Sequence, residues 1–361
     1  WQSPFKPANH LYEYRHSLSY SQDLWQNFFG RHFKSQIDEA NFNSQGIEKK
    51  TKGLNQQVLF NFYQHWLNAK VAKTLVILQK DALNRSLRRS KTIWKRVKDG
   101  ISEKADWYDS QIELEQYKEE LNLQKQRLVE ALSLLSQDLH REVKQIEINH
   151  FNLESLPTKS NFKTDIEGNY SLQALQNNIL AAQENVEQSQ MELLPSLKFY
   201  LQYTANNIDK EVNETYTNAV PTAPSNEKAI GLKLVWNFEN DATKAKISQN
   251  KITKRALEYE RKQLKNNLEK QISFLKDELE LVRAKISNAL NKRRFAGKSL
   301  NSINRLYLLG RTDIDRLLRS EERLIQADKS MVGHLTEYKI LKARYASFIG
   351  NLKNYLLEEE L

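Results

Sequence analysis

Charged side chains gather just beyond two glycines that lie 210 residues apart. They are Asp106 after Gly100, and Asp313, Asp315, Arg316 and Arg319 after Gly310. Opposite charges at contact distance attract by about 1 kcal/mol in water and by more where water is excluded, and like charges repel to the same degree. The chemistry that these residues offer is therefore electrostatic pairing and repulsion.

Residues for bond-making chemistry lack a suitable arrangement in this sequence. The chain has no cysteine, and its 7 histidines are scattered without a His-Glu-x-x-His motif. It also contains no glycine-rich phosphate loop and no strained serine turn of the hydrolase kind. We therefore expect no enzymatic activity, no metal site and no cofactor.

Composition points to long helices rather than to a large globular core. Only 10 glycines and 6 prolines interrupt 361 residues, and 28% of the residues are charged. The formal net charge is +10, but lysine and arginine alternate with glutamate and aspartate along the helical stretches, which favours a solvated surface over a nucleic-acid site. No stretch approaches the 18 apolar residues that a membrane-spanning helix needs, so if this chain spans a membrane, it does so by strands.

A helix changes abruptly into a strand near the middle of the chain. Apolar residues recur at steps of three and four from Leu172 to Leu193, which is the seam of a helix packed along other helices. Pro195 blocks continuation of that helix, and residues then alternate between apolar and polar from Leu197 to Thr204. Leu194, Pro195 and Ser196 therefore form a predicted helix-to-strand junction.

The chain is predicted to contain two copies of one unit, offset by 210 residues. The matched pairs are Leu24 and Leu234, Phe28 and Phe238, Ile37 and Ile247, Ile93 and Ile303, Gly100 and Gly310, and Leu114 and Leu324. Each unit reads as strand, long helix, glycine turn and long helix. In each turn the glycine ends the first helix, and Ser102 or Thr312 is predicted to cap the next one, with Glu103 and Asp313 favourable near its N-terminus.

The strands are predicted to have one apolar face and one polar face. Alternation runs from Tyr12 to Leu24 in the first unit, and Ile230, Leu232, Leu234, Trp236 and Phe238 form an apolar face in the second. This is the pattern of an outer-membrane strand, and an ordinary half-exposed antiparallel strand gives the same alternation. The polar stretch Ala205 to Lys228, with Pro221 and Pro224, is predicted to be a long loop between two paired strands.

Heptad spacing in the helices predicts helix-on-helix packing over most of their length. Val58, Phe62 and Trp66 begin a stripe in the first unit. The second unit carries two longer series: Leu264, Leu268, Ile272, Leu275, Leu279, Val282, Ile286 and Ala289, and then Leu324, Met331, Tyr338, Tyr345 and Leu352. Helices with such long seams need partners along their whole length.

The duplicated hairpins, the glycine turns and the Leu193 to Leu197 junction together resemble the TolC-like outer membrane efflux protein family. The resemblance implies a mainly α fold with a small β part: long antiparallel coiled-coil hairpins forming an α-barrel tunnel, and strands contributing to a trimeric outer-membrane β-barrel. It also implies an outer-membrane exit duct of a Gram-negative bacterium with a large periplasmic part, serving a tripartite efflux pump or a type I secretion system. The implied partners are two further copies of the chain, a periplasmic adaptor protein, an inner-membrane pump and outer-membrane lipid, without nucleic acid.

The resemblance assigns roles to the two glycine turns. They would form the periplasmic tip where the adaptor docks, through Gly100, Ile101, Ser102, Leu309, Gly310, Arg311 and Thr312. The entrance constriction would be made by Asp106, Asp313, Asp315, Arg316 and Arg319. Family members commonly carry acidic residues there, so Arg316 and Arg319 depart from the pattern and put a preference for cations in doubt.

The predicted organisation follows the repeats. Residues 1–25 form the strand region of the first unit, 26–150 its helical hairpin, 151–170 a linker, 171–194 the helix leading to the membrane, 195–238 a β-hairpin with an extracellular loop, and 239–361 the second helical hairpin. By the repeat, a helix and a strand are missing upstream of Trp1, since the second unit has both before its Ile230 strand. Either the chain is incomplete at that end or the protein has lost one barrel strand. The alternative is a cytosolic coiled-coil scaffold, or a basic helical protein that binds membranes or nucleic acid, which accounts for the heptads and the charge but not for the strands.

Overall fold

A computed structural model describes residues 12–144, 148–157, 165–210, 213, 215 and 226–360. The segment before Tyr12 and the predicted loop prolines Pro221 and Pro224 lie outside the described residues. The elements in chain order are β1 (Tyr12–Asp23), α1 (Arg31–Lys98), α2 (Lys104–Leu139), α3 (Tyr170–Met191), β2 (Ser196–Asp209), β3 (Asn226–Val235), α4 (Asp241–Leu308), α5 (Ile314–Phe348) and α6 (Leu352–Glu360). A short 3-10 turn, Phe28–Gly30, precedes α1.

The helices repeat with the offset predicted from the sequence. Helices α1 and α4 are each 68 residues long and begin 210 residues apart. Helices α2 and α5 begin at Lys104 and Ile314, which is the same offset, and have 36 and 35 residues. The duplication is therefore a duplication of structure.

The three strands form one antiparallel sheet in the order β1, β2, β3. Tyr20 lies opposite Leu201, and Leu201 lies opposite Ile230. Because side chains alternate between faces along a strand, this register puts Leu18, Tyr20, Leu201, Ile230 and Leu232 on one face. The predicted two-faced strands are confirmed.

Two predicted strand boundaries are wrong. Strand β2 continues through the polar residues Ala205 to Asp209, because they pair with β1 residues from His16 back to Tyr12. Backbone pairing with a neighbouring strand satisfies N–H and C=O groups whatever the side chains are, so polarity alone predicted a loop too early. Strand β3 ends at Val235, so Trp236 and Phe238 follow the strand instead of lying within it.

The described fold divides into two compact units. One comprises Trp1–Lys49 with Gln173–Lys262 and contains the sheet; the other comprises Lys50–Leu172 with Gln263–Leu361. Among the described residues, no helix has the length of apolar sequence needed to cross a membrane.

The heptad series of the second helical hairpin forms the main core of the second unit. The series from Leu268 to Ala289 in α4 is buried, as are Met331, Tyr338 and Tyr345 in α5. Leu352 is also fully buried although it begins α6, because the chain turns at Gly350, whose φ of +76° is in the left-handed region. The predicted stripe of α1 is wrong at Val58, which is 67% exposed, while Phe62 and Trp66 are partly buried against the cores beside the buried Tyr63 and Leu67.

Candidate functional sites

The two glycine turns have the same backbone geometry. Gly100 donates its N–H to the Val97 carbonyl and Ile101 donates to the Arg96 carbonyl, and Gly310 and Arg311 repeat both bonds 210 residues later. The φ angles of the two glycines are +70° and +69°. These are the paired bonds of a glycine that ends a helix, which residues with a Cβ adopt only at a cost.

The residues predicted to dock an adaptor lie at these turns. Ile101 and Leu309 are 63% and 66% exposed, so each turn presents a large apolar side chain to solvent. Arg311 is exposed, and Ser102 and Thr312 are half-buried. Beneath both turns Ile93, Leu300, Ile303, Tyr307, Ile314 and Leu317 form a small common core.

The predicted helix caps are wrong at both turns. The Asp313 carboxylate accepts the backbone N–H of Arg316 at 2.7 Å, so Asp313 caps α5 in place of Thr312. At α2 the N-cap residue is Glu103, which makes no side-chain capping bond. The Ser102 hydroxyl instead accepts a hydrogen bond from Arg96 Nε at 3.1 Å.

Arg96 joins the two turns, and sequence reasoning missed it. Its Nη1 donates to the carbonyls of Tyr307 and Leu308 at 2.8 and 3.0 Å, and its guanidinium lies 5.0 Å from the centre of the Tyr307 ring. Carbonyls in the last turn of a helix have no partner within the helix and carry partial negative charge. An arginine from the first repeat therefore supplies a donor to the Leu308 carbonyl, a second donor to the Tyr307 carbonyl beside the Gly310 N–H, and a favourable charge at the end of α4.

Replacing Arg96 by glutamine should loosen the second turn. Hydrogen bonds from a charged donor contribute about 1.5 kcal/mol each, so the loss of even one should accelerate amide hydrogen exchange at Leu309, Gly310 and Arg311 roughly tenfold or more. Lys95→Gln is the matched control, since Lys95 is exposed and makes no ion pair or hydrogen bond through its side chain within the described chain. Equal exchange rates in the two variants would show that the Arg96 hydrogen bonds contribute nothing to the local stability of this turn.

The charged residues predicted for the entrance do not pair with one another within one chain. Asp313, Asp315, Arg316 and Arg319 are exposed, and Asp106 is half-buried. None of them forms a side-chain ion pair with another residue in the described part of the chain. Asp315 and Arg319 line a cleft of 670 Å³ between α2 and α5, together with Asp109, Glu113, Glu120, Glu322 and Lys329.

A buried ion-pair network that includes Glu113 of the cleft crosses between the repeats. Glu321 of α5 accepts from Arg85 Nε at 2.6 Å and from Arg89 Nη1 at 3.4 Å, and Arg89 Nη2 lies 2.5 Å from Glu113 of α2. The Glu321 side chain is 1% exposed. Sequence periodicity could not reveal this network, because its members come from three helices and from both repeats.

Burial and pairing shift the pKa values of carboxyl groups near the network. Burial raises the pKa of Glu113, and the neighbouring Arg89 only partly offsets that shift. Burial likewise raises the pKa of Asp328, which accepts from Arg293 Nε at 2.6 Å. At the more open Glu120, a hydrogen bond from Lys329 lowers the pKa. The ionised forms of Glu113 and Asp328 are therefore less favourable than those of exposed carboxyl groups, because burial removes water from them.

The helix-to-strand junction is fastened by Asp23, the last residue of β1. Its Oδ1 accepts the backbone N–H groups of Trp25 and Asn27 at 3.1 and 3.0 Å, and its Oδ2 accepts from the Ser196 hydroxyl at 3.4 Å. Leu194 donates its N–H to the Met191 carbonyl in a last tight turn before Pro195. The junction residues predicted from the sequence therefore lie where α3 becomes β2.

The apolar face of the sheet is exposed along most of its extent. Leu18, Tyr20, Leu201, Ile230, Leu232 and Leu234 are between 41% and 73% exposed. The opposite face carries hydroxyl and amide groups, since Ser17 lies opposite Thr204 and Ser19 lies opposite Gln202. A sheet of this kind has an apolar surface that no described residue of the chain covers.

Known structures with this arrangement are outer-membrane channels. CusC, whose structures concern conformational changes accompanying folding and transmembrane channel formation, aligns with a TM-score of 0.74 at 14% identity, over 95% of this chain and 84% of that chain. The outer membrane protein VceC of Vibrio cholerae aligns with a TM-score of 0.71 at 11% identity, over 95% of this chain and 87% of that one. The open-state outer membrane channel MtrE of Neisseria gonorrhoeae aligns with a TM-score of 0.69 at 15% identity, over 96% and 80%.

This chain has the fold of those channels. The prediction of long helical hairpins with a small antiparallel sheet is confirmed. No family profile and no curated protein matches the sequence. The channel fold is thus recognised here through structure, with at most 15% identity to the solved structures named above.

The described residues also contain no cluster of three or more His, Cys, Asp or Glu that could hold a metal ion.

Proposed function

We propose that the protein is the outer-membrane exit duct of a tripartite efflux pump or a type I secretion system. Three chains would close one β-barrel and continue it as a helical tunnel across the periplasm. Transport would be passive through the duct and driven by a pump in the inner membrane. The observation that carries this proposal is the exposed apolar face shared by all three strands of a chain with the channel fold.

Lipid is the solvent that fits this face. Burial of apolar surface is favourable by about 25 cal/mol per Å², so a broad apolar face left in water would favour aggregation. A three-stranded sheet also has unpaired edges, which cannot be left open in lipid. Pairing of edges between three chains would satisfy those backbone groups, and this is the physical reason for proposing a trimer.

Aromatic residues at the strand ends support a membrane boundary there. Trp25, Phe28 and Phe29 follow β1, Trp236 and Phe238 follow β3, and all five are more than half exposed. Phe29 even has a φ of +46°, a conformation that costs energy for a residue with a side chain. Aromatic side chains are enriched at the two interfaces of outer-membrane strands, so this belt would meet the periplasmic surface of the membrane.

The glycine turns would be the periplasmic entrance and the docking site of the adaptor. The exposed Ile101 and Leu309 offer apolar contacts to a partner, and Arg311 offers a charge. The hydrogen bonds from Arg96 join the two turns within the single chain, without a partner protein. A preordered tip lowers the entropy that docking must remove.

The entrance would carry a positive collar, since Arg316 and Arg319 of three chains would approach one axis. Asp106, Asp313 and Asp315 of neighbouring chains would then pair with these arginines and hold the entrance closed. Each exposed pair contributes only about 0–1 kcal/mol, but the symmetry repeats it three times. Substituting Asp for both arginines should raise closed-state conductance and shift ion preference toward cations in planar-bilayer recordings. Unchanged conductance and preference would mean that these arginines face away from the entrance.

The rival proposal is a cytosolic coiled-coil scaffold, which the exposed apolar face of the sheet disfavours. Fractionation of cells that make the full-length protein separates the two. We expect the protein in the outer-membrane fraction on a sucrose gradient, resistant to extraction by high salt and released by detergent. Recovery as a free monomer or dimer in the cytosolic fraction would overturn the proposed function.

A further inference from the structure

Two lysines lie directly opposite each other on the polar face of the sheet. Lys198 of β2 pairs with Lys233 of β3, and both side chains are exposed. Neither makes a hydrogen bond or an ion pair with any residue in the described part of the chain. Like charges directly opposite on neighbouring strands destabilise a sheet, so this arrangement has a cost that folding alone does not explain.

The acidic residue beside this pair is already engaged. Asp23 lies opposite Lys198 on the other side, but its carboxylate accepts two backbone N–H groups and the Ser196 hydroxyl. It holds the junction in shape and has no ion pair with Lys198. The row Asp23, Lys198, Lys233 therefore carries a net positive charge at the junction end of the sheet.

The next row, Ser21, Tyr200 and Gly231, places no charge beside the lysines. Tyr200 lies opposite Gly231, and a Cβ on that glycine would be 2.6 Å from the Tyr200 hydroxyl oxygen. The tyrosine side chain therefore reaches across the glycine and covers it. Beyond it the face carries Ser19, Gln202, Ser17 and Thr204, then the carboxylate of Glu227 opposite Thr204, and Arg15 and Glu13, which form an ion pair with each other at 2.7 Å. The lysine pair is thus the one place in the described rows of this face where two like charges lie directly opposite each other.

We propose that Lys198 and Lys233 form an anion-attracting ring inside the duct, where the helical part meets the barrel, and that the exported solutes include organic anions such as carboxylates and phosphates. This inference rests on the proposed function, since the polar face lines a lumen only if the apolar face meets lipid. Three chains would each contribute two ammonium groups to the ring. Charges within about 10 Å of a passing ion act on it with little screening at 0.1 M salt, and low-dielectric walls strengthen their field.

The test is the reversal potential of the full-length protein in planar lipid bilayers under a tenfold gradient of KCl. The wild type should prefer chloride over potassium. In the Lys198→Gln, Lys233→Gln double variant the chloride-to-potassium permeability ratio should fall about twofold or more, and each single variant should give an intermediate value. Replacing both lysines by glutamate should reverse the preference.

Lys228→Gln is the matched control. Lys228 is an exposed lysine of β3, the strand of Lys233, but it lies on the apolar face with Ile230. It should leave the permeability ratio unchanged. A conducting double variant with the wild-type ratio, or an equal shift in the Lys228→Gln control, would overturn the inference while leaving the duct intact. Absence of any conductance from the wild type would instead count against the proposed function itself.

Discussion

Replacing Glu321 by glutamine should lower the free energy of unfolding by about 3–5 kcal/mol, because removing one member of a buried ion-pair network leaves the other charges without compensation. Glu321 accepts from both Arg85 and Arg89 and is 1% exposed, so no water is at hand to replace its charge. Arg89 would keep Glu113, whereas Arg85 would keep only its electrostatic attraction to Asp328, with which it forms no ion pair. The measurement is the denaturant midpoint of helical circular dichroism in detergent.

The control for this change is Glu115→Gln. Glu115 pairs with Lys118 at 2.7 Å on the outside of α2, and both side chains are about half exposed or more. An exposed pair of this kind contributes about 0–1 kcal/mol to stability. The denaturant midpoint of the Glu115→Gln variant should therefore remain close to that of the wild type. If both variants unfold at the wild-type midpoint, the network does not hold the two repeats together.

Replacing Leu201 or Leu232 by arginine should make the free energy of membrane insertion less favourable by about 2–4 kcal/mol if the residue lies near the bilayer midplane. Both leucines lie on the exposed apolar face, since Leu201 pairs with Ile230 and Leu232 pairs with Phe199. An arginine there would have to enter hydrocarbon without a partner. The measurement is the fraction of protein that inserts into liposomes and resists protease.

Gln202→Arg is the control on the same strand. Gln202 is one residue along β2 and therefore points to the polar face, opposite Ser19. The arginine would there meet water, so insertion should stay near the wild-type level. Equal tolerance at Leu201, Leu232 and Gln202 would contradict the assigned faces of the sheet.

Local patterns predicted the parts of this fold that depend on neighbours in sequence. Alternation predicted the faces of the strands, and Pro195 predicted the junction. Two glycines predicted the turns, because these turns need a residue with a left-handed backbone and glycine adopts it most readily. The 210-residue offset then predicted that both halves share one structure. Each of these signals is carried by residues within a few positions of one another or by direct repetition.

Contacts between distant helices could not be predicted in the same way. Arg96 reaches carbonyls 211 and 212 residues further along the chain, and Arg85 reaches a carboxylate 236 residues away. Such contacts depend on the rotation and register of packed helices, which one sequence does not specify. The end of β2 was missed for a related reason: the polar stretch to Asp209 is a strand because β1 lies beside it.

The most direct test of the whole account is single-channel recording of the full-length protein, purified from outer membranes and added to a planar lipid bilayer. We expect discrete conductance steps from a species whose mass in detergent is that of three chains. We also expect that the Leu201→Arg variant, added at the same concentration, produces far fewer steps. A well-folded protein that stays monomeric in detergent and yields no steps would contradict the central claim that this chain forms an outer-membrane duct.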